Sequence, residues 1–239
     1  MSETHTIFPI GNHELTLTTR HDCFEPNTTT QKIAAEIELK ADSTLLDLGC
    51  GVGPLSIWAA LSGAKHVYAV DIMSQACECA RENAERAGVA DKVTVLCGDL
   101  FEPVKDKQFD VIINDVSGIA EQAARVSPWY PTPIPSGGDD GTDVAIRVLS
   151  SVKDYLLPEG VLYFATSSLS DVGKILAQAR EVFGSGIEKL ASYRFPFCPE
   201  LMKAIDVLKK MKDAGTISFE TRRSRYLWTL DIFRMKPTI

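Results

Sequence analysis

The stretch LLDLGCGVGPLSIWAA, residues 45–60, restricts the fold more than any other part of the chain. An apolar run of strand length stops at alternating glycines, Gly49, Gly51 and Gly53. A second apolar run then begins with Pro54. Glycine supplies the positive φ of a tight turn, and proline is preorganised for the first position of a helix. The segment therefore reads as buried strand, turn and helix, the opening unit of an open α/β sheet. In such sheets a ligand binds beyond the carboxyl ends of the strands, where strand order reverses. The glycine turn is the first place to look for a site.

The units that follow repeat the pattern. Ahead of the glycine turn, TTTQKIAAEIELK (28–40) reads as a helix opened by a Thr28–Gln31 capping box, with Ile33 and Ile37 on its apolar stripe. HVYAVDI (66–72), KVTVLCGD (92–99), FDVIINDV (109–116) and VLYFATS (161–167) are continuous apolar runs. Between them lie helical patterns: SQACECARENAERAG, with Ser74 as cap and Gly88 as terminator, and TDVAIRVLSSVKDYL, which leads into a Leu-Pro-Glu-Gly turn. Strands apolar on both faces, alternating with helices, mean a parallel sheet covered on both sides. A proline- and glycine-rich loop, SPWYPTPIPSGGDDG (127–141), interrupts the alternation.

The last quarter reads as a helix, SDVGKILAQAREVFG, a strand, IEKLASYRFPF, and an extra amphipathic helix over 199–215. One or two antiparallel strands follow in ISFETRRSRYLWTLDIFRM. Leu201, Ile205, Leu208 and Met211 form an ordinary core stripe on the extra helix. The expected class is α/β, Rossmann-like, with helices on both faces of a mostly parallel sheet. Residues 1–27 are expected to contribute to the cofactor and substrate pocket. Residues 28–198 form the core, and 199–239 complete the same domain.

Charge and cysteine usage narrow the function classes. A formal net charge of −7 over 239 residues argues against dependence on broad phosphate contacts. Arg222, Arg223 and Arg225 form a local basic cluster, read here as a solvated strand face, with a nucleic-acid contact as the alternative. The six cysteines are scattered, and Cys77 and Cys79 make a C-x-C rather than the paired C-x-x-C of a structural zinc site. The four histidines, His5, His13, His21 and His66, show no ligand spacing, so no metal is expected. The start of the chain lacks a basic stretch followed by an apolar one, and no apolar run has the length of a membrane span. A cytoplasmic protein with free thiols is the expectation.

Acidic residues at strand ends identify the ligand. The dinucleotide fingerprint G-x-G-x-x-G would place a third glycine where Pro54 stands, and Asp47 just before the turn would repel a pyrophosphate. A carboxylate there suits a cation. Asp71, ending the second strand of the alternation, can accept from both ribose hydroxyls. Asp99, ending the third, can accept from the exocyclic amine of adenine. A ligand with a sulfonium, an amino group, a ribose and an adenine, but no phosphate, is S-adenosylmethionine. The N–H groups of the glycine turn remain available for its carboxylate. Ile72 and Leu100, each next to one of these acids, and Thr30 complete the candidate cofactor set with Asp47, Gly49, Gly51, Gly53, Asp71, Asp99 and Asn114.

LLDLGCGVGPLSIWAA, VYAVDIM, VTVLCGDLF and FDVIINDVSG resemble successive motifs of the class I S-adenosylmethionine-dependent methyltransferases, over residues 24–170. The resemblance implies a seven-stranded sheet with a reversed strand in a C-terminal antiparallel hairpin. CFEPNTTTQKIAAEI and PSGGDDGTDVAIRVL resemble the branch that methylates the glutamine side chain of release factors. That branch carries Asn-Pro-Pro-Tyr after the fourth strand, where the asparagine orients the target amine and the tyrosine stacks on it. Here the asparagine is kept as Asn114, followed by Asp115, Val116 and Ser117. Asn114 and Asp115 are accordingly the candidate catalytic residues, with a turn cap as the alternative role of Asp115. Trp129 and Tyr130 in the long loop are candidate substrate residues. The expected reaction is methyl transfer to a nitrogen of a small molecule or protein side chain, by a protein that can be oligomeric. RNA methylation and non-catalytic cofactor binding are the competing readings.

Overall fold

The computed structural model describes residues 3–130 and 134–237; residues 131–133 of the expected long loop lie outside the described residues. The chain divides into two compact units, Met1–Asp115 with Asp154–Tyr163, and Val116–Lys153 with Phe164–Ile239.

The first unit opens with a hairpin, in a segment to which the sequence reading assigns no element. Strands β1 (Glu3–Ile10) and β2 (His13–Arg20) pair antiparallel as a sheet of their own. Gly11 and Asn12 form the two-residue turn, with Gly11 at φ 55°. A Cβ on Gly11 would lie 2.7 Å from the Trp58 indole nitrogen, so the turn closes directly on that ring. Helix α1 (Thr28–Glu36) follows. Its cap is Asn27, one residue ahead of the expected Thr28: the Asn27 side chain accepts from the Thr29 N–H at 2.8 Å, while Gln31 donates to the Pro9 carbonyl at 2.8 Å instead of closing a box. The helix stops at Glu36 because Ile37 is extended.

Next come β3 (Thr44–Leu48), α2 (Pro54–Leu61), β4 (His66–Asp71), α3 (Ser74–Arg86), β5 (Val93–Cys97) and β6 (Phe109–Asn114). Ser74 is the first helical residue of α3 rather than its cap; Met73 holds the cap position, and its N–H donates to Asp71 at 2.8 Å. Strand β7 (Leu156–Ser167) takes in the Leu-Pro-Glu-Gly segment expected as a turn, and its residues 156–163 belong to this unit. A Cβ on Gly160 would lie 2.8 Å from the Phe109 carbonyl oxygen, so the close approach of that neighbouring strand requires glycine there. The strand order is β5-β4-β3-β6-β7, with β4–β5, β3–β4 and β3–β6 parallel. Leu45, Leu46, Leu48, Val67, Ala69, Ile112 and Ile113 are buried on both faces of these strands, as continuous apolar runs require.

The second unit contains α4 (Glu121–Val126), a short helix just ahead of the segment 127–141 expected as a loop, and α5 (Asp143–Ser151). After the end of β7 come α6 (Val172–Phe183) and β8 (Ile187–Pro196). The single helix expected over 199–215 is two, α7 (Pro199–Lys203) and α8 (Ile205–Asp213), broken at Ala204. Alanine is the best helix former, so no residue preference marks that break. Leu201, Leu208 and Met211 are buried as expected. Strand β9 (Glu220–Arg222) and β10 (Arg225–Met235) end the chain. The order here is β7-β10-β8, with β9 on β10, and β8 and β10 pair antiparallel from Ile187–Met235 to Pro196–Leu227. The fold is thus mixed α/β, with a mostly parallel sheet and a C-terminal antiparallel hairpin.

Candidate functional site

Strand order fixes where the site lies. Starting from β3, the chain adds β4 and β5 on one side, then returns to add β6 on the other. The reversal falls between β3 and β6, and the glycine turn leaves the carboxyl end of β3 at that point. Register brings the strand ends level: Leu48 pairs with Val70 and with Asn114, and Asp71 pairs with Cys97. The N–H groups of Gly49 and Cys50 both donate to the Val70 carbonyl, at 2.9 and 3.1 Å. The Asp115 N–H donates to the Leu48 carbonyl at 3.1 Å.

Asp47 is fully buried at the end of β3. Ser56 of α2 donates its hydroxyl to Asp47 Oδ2 at 2.5 Å, while Oδ1 has no hydrogen-bond partner among the described residues. Burial pushes its carboxyl up to about 7, Ser56 opposes the shift, and the neighbouring Asp71 charge adds to it. Asp71 accepts from the Gly51 N–H at 2.8 Å through Oδ2 and from the Met73 N–H at 2.8 Å through Oδ1. It therefore braces the turn, while each oxygen keeps a second lone pair for a ligand hydroxyl. Its carboxyl is raised by burial against those backbone bonds.

Asn114 is 2 % exposed, and its Oδ1 is also without a partner among the described residues. The Asp115 carboxyl is pushed up to about 8, first by burial and then by the Asp47 charge. Its side chain makes no hydrogen bond among the described residues, so the alternative role of turn cap finds no support. Ile72 presents an apolar side chain at 55 % exposure beside Asp71. Asp99 and Leu100 form the turn after β5, where the Asp99 carbonyl accepts from the Glu102 N–H and Leu100 adopts a left-handed φ of 49°.

Three glycines of the turn have positive φ: Gly49 at 75°, Gly51 at 53° and Gly53 at 89°. Gly51 faces open space on its Cβ side, so its φ alone calls for glycine. Gly53 has a second reason, since a Cβ there would lie 3.2 Å from Ala80 Cβ on α3. Thr30 is buried in the first turn of α1, and no hydrogen bond among the described residues ties it to the turn. Trp129 and Tyr130 belong to the second unit. There the Trp129 ring lies 5.6 Å from Trp228, which stacks on Phe195 at 4.8 Å.

Two residues that the sequence reading passed over hold this arrangement. Ser56 is the one hydroxyl in the apolar run PLSIWAAL, and that contrast was its signal. Asn83 lies on the stripe Ala76–Ala80–Asn83–Ala84 of α3 and is 1 % exposed. Its Oδ1 accepts from the Thr18 N–H at 2.7 Å, and its Nδ2 donates to the carbonyls of Thr18 at 3.0 Å and Val52 at 2.9 Å. The N-terminal hairpin and the glycine turn are thus tied through one amide.

Comparison with known proteins bears on the family to which the chain belongs. Residues 18–124 match the family model described as Ribosomal protein L11 methyltransferase (PrmA). A putative protein N5-glutamine methyltransferase of Methanocaldococcus jannaschii is 32% identical over 158 residues, covering 66% of this chain and 78% of that protein. The chain belongs to the S-adenosylmethionine-dependent methyltransferases. A ribosomal protein uL3 glutamine methyltransferase of Bordetella pertussis is 34% identical over 122 residues, 49% of this chain. The chain spans 41% of that relative's length. Among solved structures, a T. Thermophilus 16S rRNA N2 G1207 methyltransferase, determined with AdoMet and guanosine, shares the fold. Its TM-score is 0.65 at 16% identity, over 99% of this chain and 51% of that one.

The residues of this methyltransferase fit the family's cofactor. Asp47 Oδ1 is a buried acceptor without a partner among the described residues, and burial raises the carboxyls of Asp47, Asp71 and Asp115, so a cation beside them would favour their charged forms. A sulfonium and an ammonium are such cations. Asp71 and Asp99 would take the ribose and adenine, and Ile72 would lie against the base. No helix among the described residues is long and apolar enough to cross a membrane.

Proposed function

We propose that the methyltransferase methylates a nitrogen of a protein side chain, of the carboxamide class named for the two glutamine methyltransferases above. S-adenosylmethionine, when bound, supplies an electrophilic methyl group on a sulfonium. The observation that carries the reading is Asn114: a buried side-chain carbonyl with no partner among the described residues, at the end of the strand next to that of Asp47. A carbonyl so placed can accept an N–H of the acceptor and turn the nitrogen lone pair toward the methyl carbon. Asp115 takes the proton that the nitrogen gives up when its bond to carbon forms. Its raised carboxyl makes it a stronger base than an ordinary aspartate. Asp115 and Val116 stand where the release-factor branch has two prolines, and Ser117 where it has a stacking tyrosine. The acceptor here is therefore oriented by hydrogen bonds and by proton removal more than by stacking.

The test is incubation of the full chain with methyl-labelled cofactor and fractionated cell extract. Label should enter protein, and label confined to RNA or to small molecules would refute the reading. Asn114→Ala should leave cofactor affinity within about threefold and lower turnover on the order of 100-fold. Turnover of the parent should rise with pH and level off above about 8, as Asp115 ionises, and Asp115→Asn should flatten that profile.

A further inference from the structure

The β9–β10 ribbon breaks two local rules at once. Its strands are joined by a two-residue turn, Arg223–Ser224, and Arg223 has φ 55°. A positive φ at the first position of such a turn favours glycine, and an arginine there is strained. Directly beside the turn, Arg222 faces Arg225 across the ribbon, and like charges placed opposite one another weaken a strand pair. Arg222 is paired with Glu220, but Arg223 and Arg225 are exposed and make no ion pair or hydrogen bond among the described residues, so the strained turn and the Arg225 side of the facing pair go uncompensated. Sequences break local rules in this way chiefly where a function requires it.

Other cations gather on the same ribbon. Lys209 of α8 lies over the Tyr226 ring at 5.7 Å, and Lys212 lies over Phe219 at 4.5 Å while donating to the Phe219 carbonyl at 2.8 Å. Glu220 is shared between Arg194 at 3.1 Å and Arg222 at 3.0 Å, so its charge is already engaged. Residues 209–225 carry six Lys and Arg against two carboxylates, in a chain of net charge −7.

We propose that this ribbon is an RNA-binding surface, with Arg222, Arg223 and Arg225 on the phosphodiester backbone and Lys209 and Lys212 extending the track. Arginine forks match phosphate oxygens in pairs, and every nucleotide brings one phosphate. A run of single-sign charge suits that array better than a protein face, where signs are mixed. The half-buried Tyr226, beneath Lys209, adds a ring beside the phosphate track. The surface uses none of the residues assigned to methyl transfer, so it goes beyond the proposed reaction and does not rest on it.

The test is fluorescence anisotropy of a labelled 20-nucleotide single-stranded RNA with the full chain, from 50 to 300 mM KCl. Contacts to three or four phosphates should weaken binding about 20- to 50-fold between 50 and 200 mM. The double variant Arg223→Glu, Arg225→Glu should bind at least about 10-fold more weakly, with a shallower salt slope. It should keep its cofactor affinity, which shows that it is folded. Arg223→Gly separates binding from structure by sign. It should raise the melting temperature by relieving the turn, yet weaken RNA binding several-fold. The proposal fails if RNA does not bind at 50 mM KCl, or if the double variant binds as the parent does. It also fails if polyglutamate displaces the RNA as well as unlabelled RNA does, which would make the partner an acidic protein.

Discussion

Asp47→Asn should make the cofactor-free protein more stable, and increasingly so as pH rises. The substitution keeps the shape of the side chain and removes a charge that is fully buried. Burial and the Asp71 charge put the Asp47 carboxyl at about 7 in the folded chain, against roughly 3.9 for an unfolded aspartate. Between those values the native state holds more protons than the unfolded state. Stability from this group is therefore full below about pH 4 and is lost as pH rises through about 7. From pH 5 to pH 8 the loss amounts to at most about 3 kcal/mol, and roughly 2 kcal/mol after relaxation of the interior. The asparagine variant escapes it. Any constant offset from the altered Ser56 bond cancels when the two pH values are compared. Urea unfolding of parent and variant at both pH values, without cofactor, measures the difference directly, and the variant's advantage should grow by about 2 kcal/mol. Saturating S-adenosylmethionine should reverse the ranking at pH 8, because ligand linkage rewards the chain that binds more tightly. An advantage that stays constant with pH, or that shrinks, would refute the assignment of Asp47 as an ionisable group held for a cation.

Two further substitutions separate the parts of the turn. Gly53→Ala meets both a φ of 89° and a 3.2 Å contact with Ala80, so it should destabilise by roughly 2 kcal/mol or more. Gly51→Ala, at φ 53° with open space around its Cβ, should lose only about 1 kcal/mol; equal losses in urea titrations would contradict the distinction. Asn83→Leu leaves the Thr18 N–H and the Thr18 and Val52 carbonyls without their amide partner, for roughly 3 kcal/mol or more of stability. It should also weaken cofactor binding in calorimetry, whereas a structural role confined to the hairpin would leave affinity unchanged.

The parts of this protein that were legible in its sequence are those in which one residue carries its own reason. Gly49, Gly51, Gly53 and Pro54 have backbone requirements that few other residues meet, so the strand, turn and helix could be read directly. The strand-end acids could be read because register in a parallel sheet puts the ends of successive strands level. The N-terminal hairpin was equally legible: Gly11–Asn12 is a turn signal, and Leu15 and Leu17 alternate with polar residues. It was missed because β1 and β2 form a sheet of their own, outside the βα alternation that organised the rest of the reading. Asn83 was beyond reach for a different reason. Its place on an apolar stripe shows that it is buried, but its partners, at positions 18 and 52, come together only once the hairpin has folded onto α3. The charged ribbon lies between these cases. Arg222, Arg223 and Arg225 look like any solvated run until pairing sets two of them face to face and the turn puts the third at a glycine's φ. Charge in a sequence gives composition; only register shows whether the fold has placed it at its own expense.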